Sequence, residues 1–505
     1  MKRLVIVIFI MFGAFLAFSL YKTYAYDTSV VEETPSTTDL EYTFKIGNSS
    51  IKQITVDSGE TKYYDVVLGN PNPARISYSI YYEMVNPNSK PDGFSIEYTS
   101  KSTGESTGKV DKDGNITLNL VVTNNGSSSV TVKLGSVAGY VNGGELTLGS
   151  GQVLVPKKVT ASEYIMNLDD GTTGDSGSGV YKVHHDAILA DSSATGNEIK
   201  QTTDYRYYGA SPNNYVCLDM DGGSTCPDKH LYRIIGSIYE ENSGTNILKV
   251  IKSTYLTDGT AIRFSWDTDD EDSTLTTPIV SVPDYIPTSC SSIWSADNSG
   301  INNGSTLMRL LNNVWLQNSM AYYYNKFANN TNKISINFKT MGLSNDVKRY
   351  INKNSLYYLG SHTTSDEYVN DIYMKERSNV TISGGATYWN GTVGLMYASD
   401  YGYASGTKCT TEENIKSNTY SCNSNNWLSS TNTEWTISSS SESQVWVINT
   451  IDNNTYLYNM YASGNIWAYD HGDLLGIVRP VFYLDKDVSI TSGTGTSSDP
   501  YLITK

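Results

Sequence analysis

The stretch DYRYYGASPNNYVCLDMDGGSTCPDKHLYRIIGSIY, residues 204 to 239, carries three short apolar runs separated by two turn signals and flanked internally by two cysteines. The runs Tyr205 to Tyr208, Tyr215 to Leu218 and Leu231 to Ile238 are rich in Tyr, Val and Ile. Ser211-Pro212-Asn213-Asn214 and Asp221-Gly222-Gly223 supply the bends, so the stretch reads as a β-meander. Period-two alternation places Leu231, Arg233 and Ile235 on one side of the third strand and Tyr232, Ile234 and Ile238 on the other. A strand apolar on both faces belongs in the middle of its sheet.

The chain around this meander has 505 residues, more than one ordinary domain needs, and its 39% hydrophobic and 11% aromatic content is enough to build real cores. All five cysteines and all eight tryptophans fall between Cys217 and Trp467. That shift separates a cysteine-free N-terminal part from a larger C-terminal domain, expected over 181 to 505.

The formal net charge of −16 excludes a basic phosphate-binding surface, so no nucleic-acid partner is expected, and it disfavours adsorption to anionic lipid. The N-terminus reads as an export signal. Met1-Lys2-Arg3 precedes an apolar run from Leu4 to Leu20, and Thr23 and Ala25 are the small residues a signal peptidase reads. Cleavage after Ala25 is expected over 1 to 25, with an uncleaved anchor as the alternative and the one expected membrane contact. Localisation is therefore read as extracellular or cell-surface.

From 41 to 157 the pattern is all β, with strands expected at Tyr42 to Ile46, Lys62 to Leu68, Ile76 to Tyr82, Phe94 to Tyr98, Ile116 to Val122, Ser129 to Leu134 and Gln152 to Val155. Asp111-Lys112-Asp113-Gly114-Asn115 reads as a hairpin turn, since the ligand spacing of a calcium hand is missing. SGETKYYDVVLGNPN, ISYSIYY and LNLVVTNNGSSSVTVKL together resemble the immunoglobulin-like sandwiches of exported bacterial proteins, which implies a spacer without chemistry of its own. Residues 158 to 180, with LDDGTTGDSGSG, read as a polar linker. Gly174 to Ser178 has the look of a chymotrypsin nucleophile box, but the first histidine of the chain is His184 and that family places its histidine before the serine.

In the C-terminal part, helices are expected at Ser305 to Ser319, with Leu307, Leu310, Leu311, Val314 and Trp315 as the apolar stripe, and at Ser344 to Ile351. Strands are expected at Gln444 to Asn449 and Ile477 to Leu484, the latter interrupted by Pro480. The order PNNYVC, LYRIIG, amphipathic helix, VGLMYASDYGYAS, NNWL, EWTIS, VWVI, GIVRPVFYL and SGTGTSSDPYLI resembles an uncharacterised domain of exported proteins from Gram-positive gut bacteria. That domain is in turn similar to the C-type-lectin-like fold of sulfatase-modifying enzymes and some phage receptor-binding proteins. The resemblance implies a loop-rich α+β domain with paired terminal strands and variable loops on one face. The copper-binding cysteine pair of the sulfatase-modifying enzymes has no clear counterpart here, which argues against their oxidative activity.

Two local disulfides, Cys217 with Cys226 and Cys409 with Cys422, are expected from their brackets around polar turns in an exported chain, leaving Cys290 as a buried free thiol. Zinc is not expected, because neither pair has Cys-x-x-Cys spacing. No cofactor is expected, with calcium left open at Asp219 and Asp221 and at the acidic run Asp267, Asp269, Asp270, Glu271 and Asp272.

The forty tyrosines exceed what a core of this size requires, and many stand beside Gly, Ser or Asn. Tyr and Trp in polar loops are what recognition surfaces use. Trp389, Tyr401, Tyr403, Trp467, Tyr469, Asp470 and His471 are the candidate ligand-binding residues, with packing of Trp467 and pairing of Asp470 with Arg479 as the alternative. The function expected is that of a non-enzymatic, adhesin-like surface protein binding a host or bacterial glycan or protein. A secreted polysaccharide-acting enzyme, or a structural fibre or matrix subunit, is the alternative.

Overall fold

The computed structural model describes residues 43–46, 53–100, 108–141, 146–172, 174, 177–186, 201–257, 264, 266, 280–281, 292–300, 304–324, 333–339, 342–361, 368–407, 415, 425–441, 444–451, 454–461 and 476–505. The chain divides into two compact units, Met1–Lys158 and Val159–Lys505, each with its own apolar core. Both are built mainly from strands.

In the first unit the strands are β1 (Thr43–Ile46), β2 (Gln53–Val56), β3 (Glu60–Gly69), β4 (Ile76–Asn86), β5 (Phe94–Ser100), β6 (Lys109–Val110), β7 (Asn115–Asn124), β8 (Val130–Tyr140) and β9 (Val153–Leu154). They form a sheet in the order β1-β3-β7-β5 and a second in the order β2-β8-β4-β6, with β9 added to β4. Alternation drives the packing: Ile116, Leu118, Leu120 and Val122 of β7, and Ile76, Tyr78, Ile80 and Tyr82 of β4, are buried in one shared core. The Asp111–Asn115 segment is a turn, closed by the Gly114 N–H on the Asp111 carbonyl at 3.0 Å. It does not close a hairpin, because β6 and β7 belong to different sheets.

The second unit starts with a helix at Ala161–Met166, where a linker is expected. Thr160 and Glu163 form a reciprocal capping box, and Ala161 and Ile165 are buried in the core of this unit. Two apolar anchors and a satisfied N-terminus outweigh the glycine-rich composition that follows.

The main sheet contains β10 (Gly179–His185), β11 (Thr202–Tyr208), β12 (Tyr215–Cys217), β13 (Leu231–Glu240) and β14 (Thr245–Lys252). The β15 (Val280–Ser281), β16 (Met320–Tyr324) and β17 (Lys333–Asn337) strands make a small sheet, and β18 (Ser355–Tyr358) pairs with β19 (Tyr388–Gly391). A three-stranded meander follows, β20 (Glu434–Ser441), β21 (Gln444–Ile451) and β22 (Asn454–Tyr461). The last strands, β23 (Val481–Tyr483), β24 (Ser489–Ser492) and β25 (Tyr501–Thr504), return to the main sheet: β23 on β14, and β25 parallel to β12. Pro480 lies just outside β23, where its carbonyl still accepts from the Lys252 N–H at 3.0 Å.

β13 is central, with β11 and β12 along one edge and β14 along the other. Its register slips at Ile235, so Ile234 pairs with Val250 and Gly236 with Lys249. The bulge inverts the alternation beyond it, which moves Ile238 to the face of Arg233 rather than that of Tyr232 and Ile234.

The segment from Ser305 begins as an α-helix at Thr306–Arg309, capped by the Ser305 hydroxyl, and widens into a π-helix at Leu310–Trp315. Asn312 explains the widening: its amide donates to the Met308 and Val393 carbonyls, and its oxygen accepts from the Val393 N–H at 3.1 Å. The expected apolar stripe, Leu307 to Trp315, is buried. The second expected helix is a single turn at Asn345–Lys348, capped by Ser344.

Candidate functional site

Two polar constellations stand out in the second unit, one open and one sealed. The open one is a cleft of about 320 Å³ lined by Cys217, Leu218, Asp219, Met220, Asp346, Arg349, Tyr350, Thr491, Leu502 and Ile503. Three pieces of local structure make it. The Cys217–Cys226 disulfide closes the loop after β12. The Ser344-capped helical turn projects Asp346 and Arg349, and the β24–β25 hairpin supplies the apolar wall.

Within the cleft the Arg349 guanidinium donates to the Tyr350 hydroxyl at 2.8 Å. That bond, reinforced by the carboxylates of Asp346 and Asp219, holds the guanidinium firmly protonated. Asp219 also caps its own loop, accepting from the Asp221 N–H at 2.8 Å. Asp346 and Arg349 are exposed and Tyr350 is buried, so the charged groups face solvent over an aromatic floor. Carboxylates that accept, a guanidinium that donates and a patch of Leu and Ile side chains can together bind a small polyhydroxylated molecule.

Beside this cleft, Asp219, Asp221 and His230 place potential ligand atoms within 4.8 Å of one another. Both oxygens of Asp221 are already engaged, by Lys229 Nζ at 2.6 Å and by His230 Nε2 at 3.1 Å. Lys229 and His230 hold the Asp221 carboxyl below its usual range, and burial pushes the His230 imidazole down. Calcium takes six to eight oxygen ligands, and two carboxylates with an imidazole do not suit it. The trio is a clasp that tightens the disulfide loop. The acidic run Asp267 to Asp272 lies outside the described residues.

The sealed constellation spans one face of the main sheet. Register puts Val183 and His185 of β10, Asp204 and Arg206 of β11, Gly236 of β13 and Lys249 of β14 on that face. Gly236 leaves room between the two long cations. A Cβ there would lie 2.4 Å from the Tyr205 carbonyl oxygen and 3.1 Å from Arg206 Cα.

Arg206 donates to Asp204 Oδ2 at 2.8 Å and to Asp400 Oδ1 at 2.8 Å, and His185 Nε2 lies 2.9 Å from Asp204 Oδ2. Lys249 Nζ reaches Asp400 Oδ2 at 2.5 Å. Asp400 belongs to the helix Ala398–Tyr403, whose start it caps through the Tyr397 N–H at 2.9 Å. On the neighbouring helix, Val369–Glu376, the Glu376 carboxylate accepts from the hydroxyls of Ser399 at 2.5 Å and Ser438 at 2.6 Å. Arg377 follows, stacked on the Tyr373 ring at 3.5 Å.

Burial opposes ionisation of Asp204, but Arg206 and His185 outweigh it and hold the carboxyl far below its usual range. Burial likewise opposes ionisation of Asp400, and Lys249 and Arg206 bring it down to about 2. Desolvation pushes the Lys249 amine down to about 8 against the pull of Asp400, and pushes Glu376 up.

Trp389, Tyr401 and Tyr403, expected on ligand-binding loops, belong to this interior, with 0%, 0% and 1% of their surfaces exposed. Trp389 lies in β19 and donates from its indole to the Gly300 carbonyl at 2.7 Å. Tyr403 carries the Arg206 guanidinium 4.6 Å from its ring centre and donates to Asn370 Oδ1 at 2.8 Å. The glycine between the two tyrosines serves close packing: a Cβ at Gly402 would meet the Val369 side chain at 2.4 Å. Trp467, Tyr469, Asp470 and His471 lie outside the described residues, as do Cys290, Cys409 and Cys422. Arg479, considered as a partner of Asp470, binds Glu434 Oε1 at 2.7 Å.

Asp346, Arg349 and the Asp204–Arg206–Lys249–Asp400–Glu376 set were not singled out from the sequence. The one local signal was Asp204-x-Arg206, two opposite charges on the same face of an otherwise apolar strand.

Comparison of the chain with protein-family models, curated proteins and solved structures finds no match.

Proposed function

We propose that this chain is an exported cell-surface or secreted binding protein. In this reading the first unit is an immunoglobulin-like spacer, and the second, a domain of C-type-lectin-like type, takes one sugar unit of a glycan in the Asp219–Arg349 cleft. The observation that carries the reading is the cleft itself. Its volume of about 320 Å³ sits at the small end of ligand pockets, and its lining sets charged hydrogen-bonding groups against an apolar wall. Asp219 and Asp346 would accept from sugar hydroxyls, Arg349 would donate to them, and Leu502 would cover the apolar side of the ring.

Export is supported by the Met1–Ala25 pattern and by the Cys217–Cys226 bond, which persists in oxidising compartments. Among the described residues no helix is long and apolar enough to cross a membrane.

A glycan array probed with the full chain tests the proposal. Retention on a defined subset of sugars, lost in Arg349→Ala, is the expected result. Absence of binding to any glycan, or binding that Arg349→Ala leaves intact, would remove the cleft from the account. Binding to a surface protein that survives enzymatic deglycosylation would change the ligand class from sugar to protein.

A further inference from the structure

We propose that Lys249 and Asp400 condense into an intramolecular amide, a covalent strut between the main sheet and the helix Ala398–Tyr403. The inference rests on geometry in the sealed constellation and is independent of the proposed ligand.

The two groups meet in a dry interior. Lys249 Nζ lies 2.5 Å from Asp400 Oδ2, with 1% and 0% of the respective side chains exposed. Each partner is held on several sides. The Lys249 amine sits 4.3 Å from the centre of the Tyr397 ring and 5.6 Å from that of Tyr483. Asp400 Oδ1 is gripped by Arg206 at 2.8 Å, and Oδ2 also accepts from the Tyr397 N–H at 2.9 Å. Fixing an amine against a carboxyl in this way turns a bimolecular condensation into an intramolecular one, the arrangement in which effective concentrations become very large.

The step balances without an added reactant. One proton passes from the Lys249 ammonium to Asp400 Oδ2, against the pull of Arg206 that keeps the carboxyl ionised, and leaves a neutral amine beside a neutral acid. The amine lone pair attacks Asp400 Cγ, and the charge that develops on Oδ1 falls on the Arg206 guanidinium. The Oδ2 hydroxyl takes a second proton from the attacking nitrogen and leaves as water. One C–N bond forms, one C–O bond breaks and nothing is oxidised or reduced. The depressed proton affinity of Lys249 assists, since it raises the share of free amine.

The charge balance of the interior also survives the reaction. Condensation removes one cation and one anion together and leaves Arg206 beside Asp204 and Arg377 beside Glu376. It removes the desolvation cost of the ion pair that disappears. The product ties residues that are 151 positions apart.

Mass spectrometry of the reduced, denatured full chain after trypsin digestion decides the question. The expected result is a branched peptide joining the segments around Lys249 and Asp400, lighter than their sum by one water and uncut after Lys249, with both linear peptides depleted. Lys249→Arg, which keeps the charge but not the primary amine, is expected to give linear peptides only. Full recovery of linear peptides carrying unmodified Lys249 and Asp400 from the folded parent chain would overturn the proposal, whatever the variant does.

Discussion

Arg206 and Asp400, separated by 194 residues in the chain, meet at 2.8 Å in a site where neither side chain is more than 1% exposed. The same guanidinium serves Asp204, so one side chain neutralises carboxylates on a strand and on a helix. Replacing Arg206 with Met strips Asp204 of this partner, and removing one member of a buried pair typically costs about 3–5 kcal/mol. Urea denaturation of Arg206→Met against the parent is expected to show a loss of at least that size. A loss below about 1 kcal/mol would mean the network contributes no more than a surface pair.

The acid limb of stability should report Asp204. Its folded proton affinity is depressed, so the stabilisation is fully present above its ordinary value of 3.8 and is lost as pH falls below it. Glu376 has the opposite sign. Burial raises it, so it costs stability as pH climbs above its ordinary 4.5. Asp204→Asn is expected to be destabilised relative to the parent at neutral pH, with the difference shrinking as pH drops through the region below 3.8. A gap that stays constant through that range would assign the effect to packing.

Trp389, Tyr401 and Tyr403 are core positions, and their truncation should be read in stability. Each to Ala is expected to cost about 3–5 kcal/mol by loss of buried surface and creation of a cavity. Thermal unfolding checks this. Near-parental melting temperatures would return these rings to the surface.

The helix at Ala161–Met166 makes a prediction about boundaries. A fragment beginning at Val159 keeps the capping box and buries Ile165, whereas one beginning at 181 exposes the strands that this helix covers. Burial of Ile165 alone is worth about 2 kcal/mol. The shorter fragment is expected to melt lower by circular dichroism, and equal melting curves would restore the linker reading.

These outcomes separate what the sequence makes legible from what it hides. Alternation along β4, β7 and β8 is strong because one face of each strand is buried, so the sandwich can be read locally. β2, Gln53–Val56, and β6, Lys109–Val110, are strands the sequence pattern does not announce. The capping box Thr160-x-x-Glu163 is a local signature too, but the glycines that follow it masked it. The bulge at Ile235 depends on how β13 meets β14, and no single strand encodes that. Tyr401 and Tyr403 are buried for a related reason: Gly402 looks like loop punctuation between the two tyrosines, yet it is small because Val369 presses against it. Arg206 and Lys249 lie on separate strands, and only the register of β11, β13 and β14 shows that they share a face, while Glu376 and Asp400 come to it from two helices. The Asp346 and Arg349 cleft needed the third dimension as well, since its walls come from three distant parts of the chain.

The Cys217–Cys226 bond and the Asp221 clasp shape one wall of the cleft, so they should control binding as well as stability. Closing a loop of that length contributes about 3 kcal/mol in the chain-entropy account. Cys217→Ser with Cys226→Ser is expected to lower the melting temperature and weaken ligand retention together. Unchanged retention in a less stable protein would place the ligand elsewhere.

The central claim is that the Asp219–Arg349 cleft is the recognition site, and titration calorimetry of the full chain with a glycan retained on the array tests it most directly. The parent is expected to bind at one site per chain, and Arg349→Ala and Asp346→Ala each to weaken binding at least tenfold, about 1.4 kcal/mol, with no change in melting temperature. Parental affinity in both variants would contradict the account.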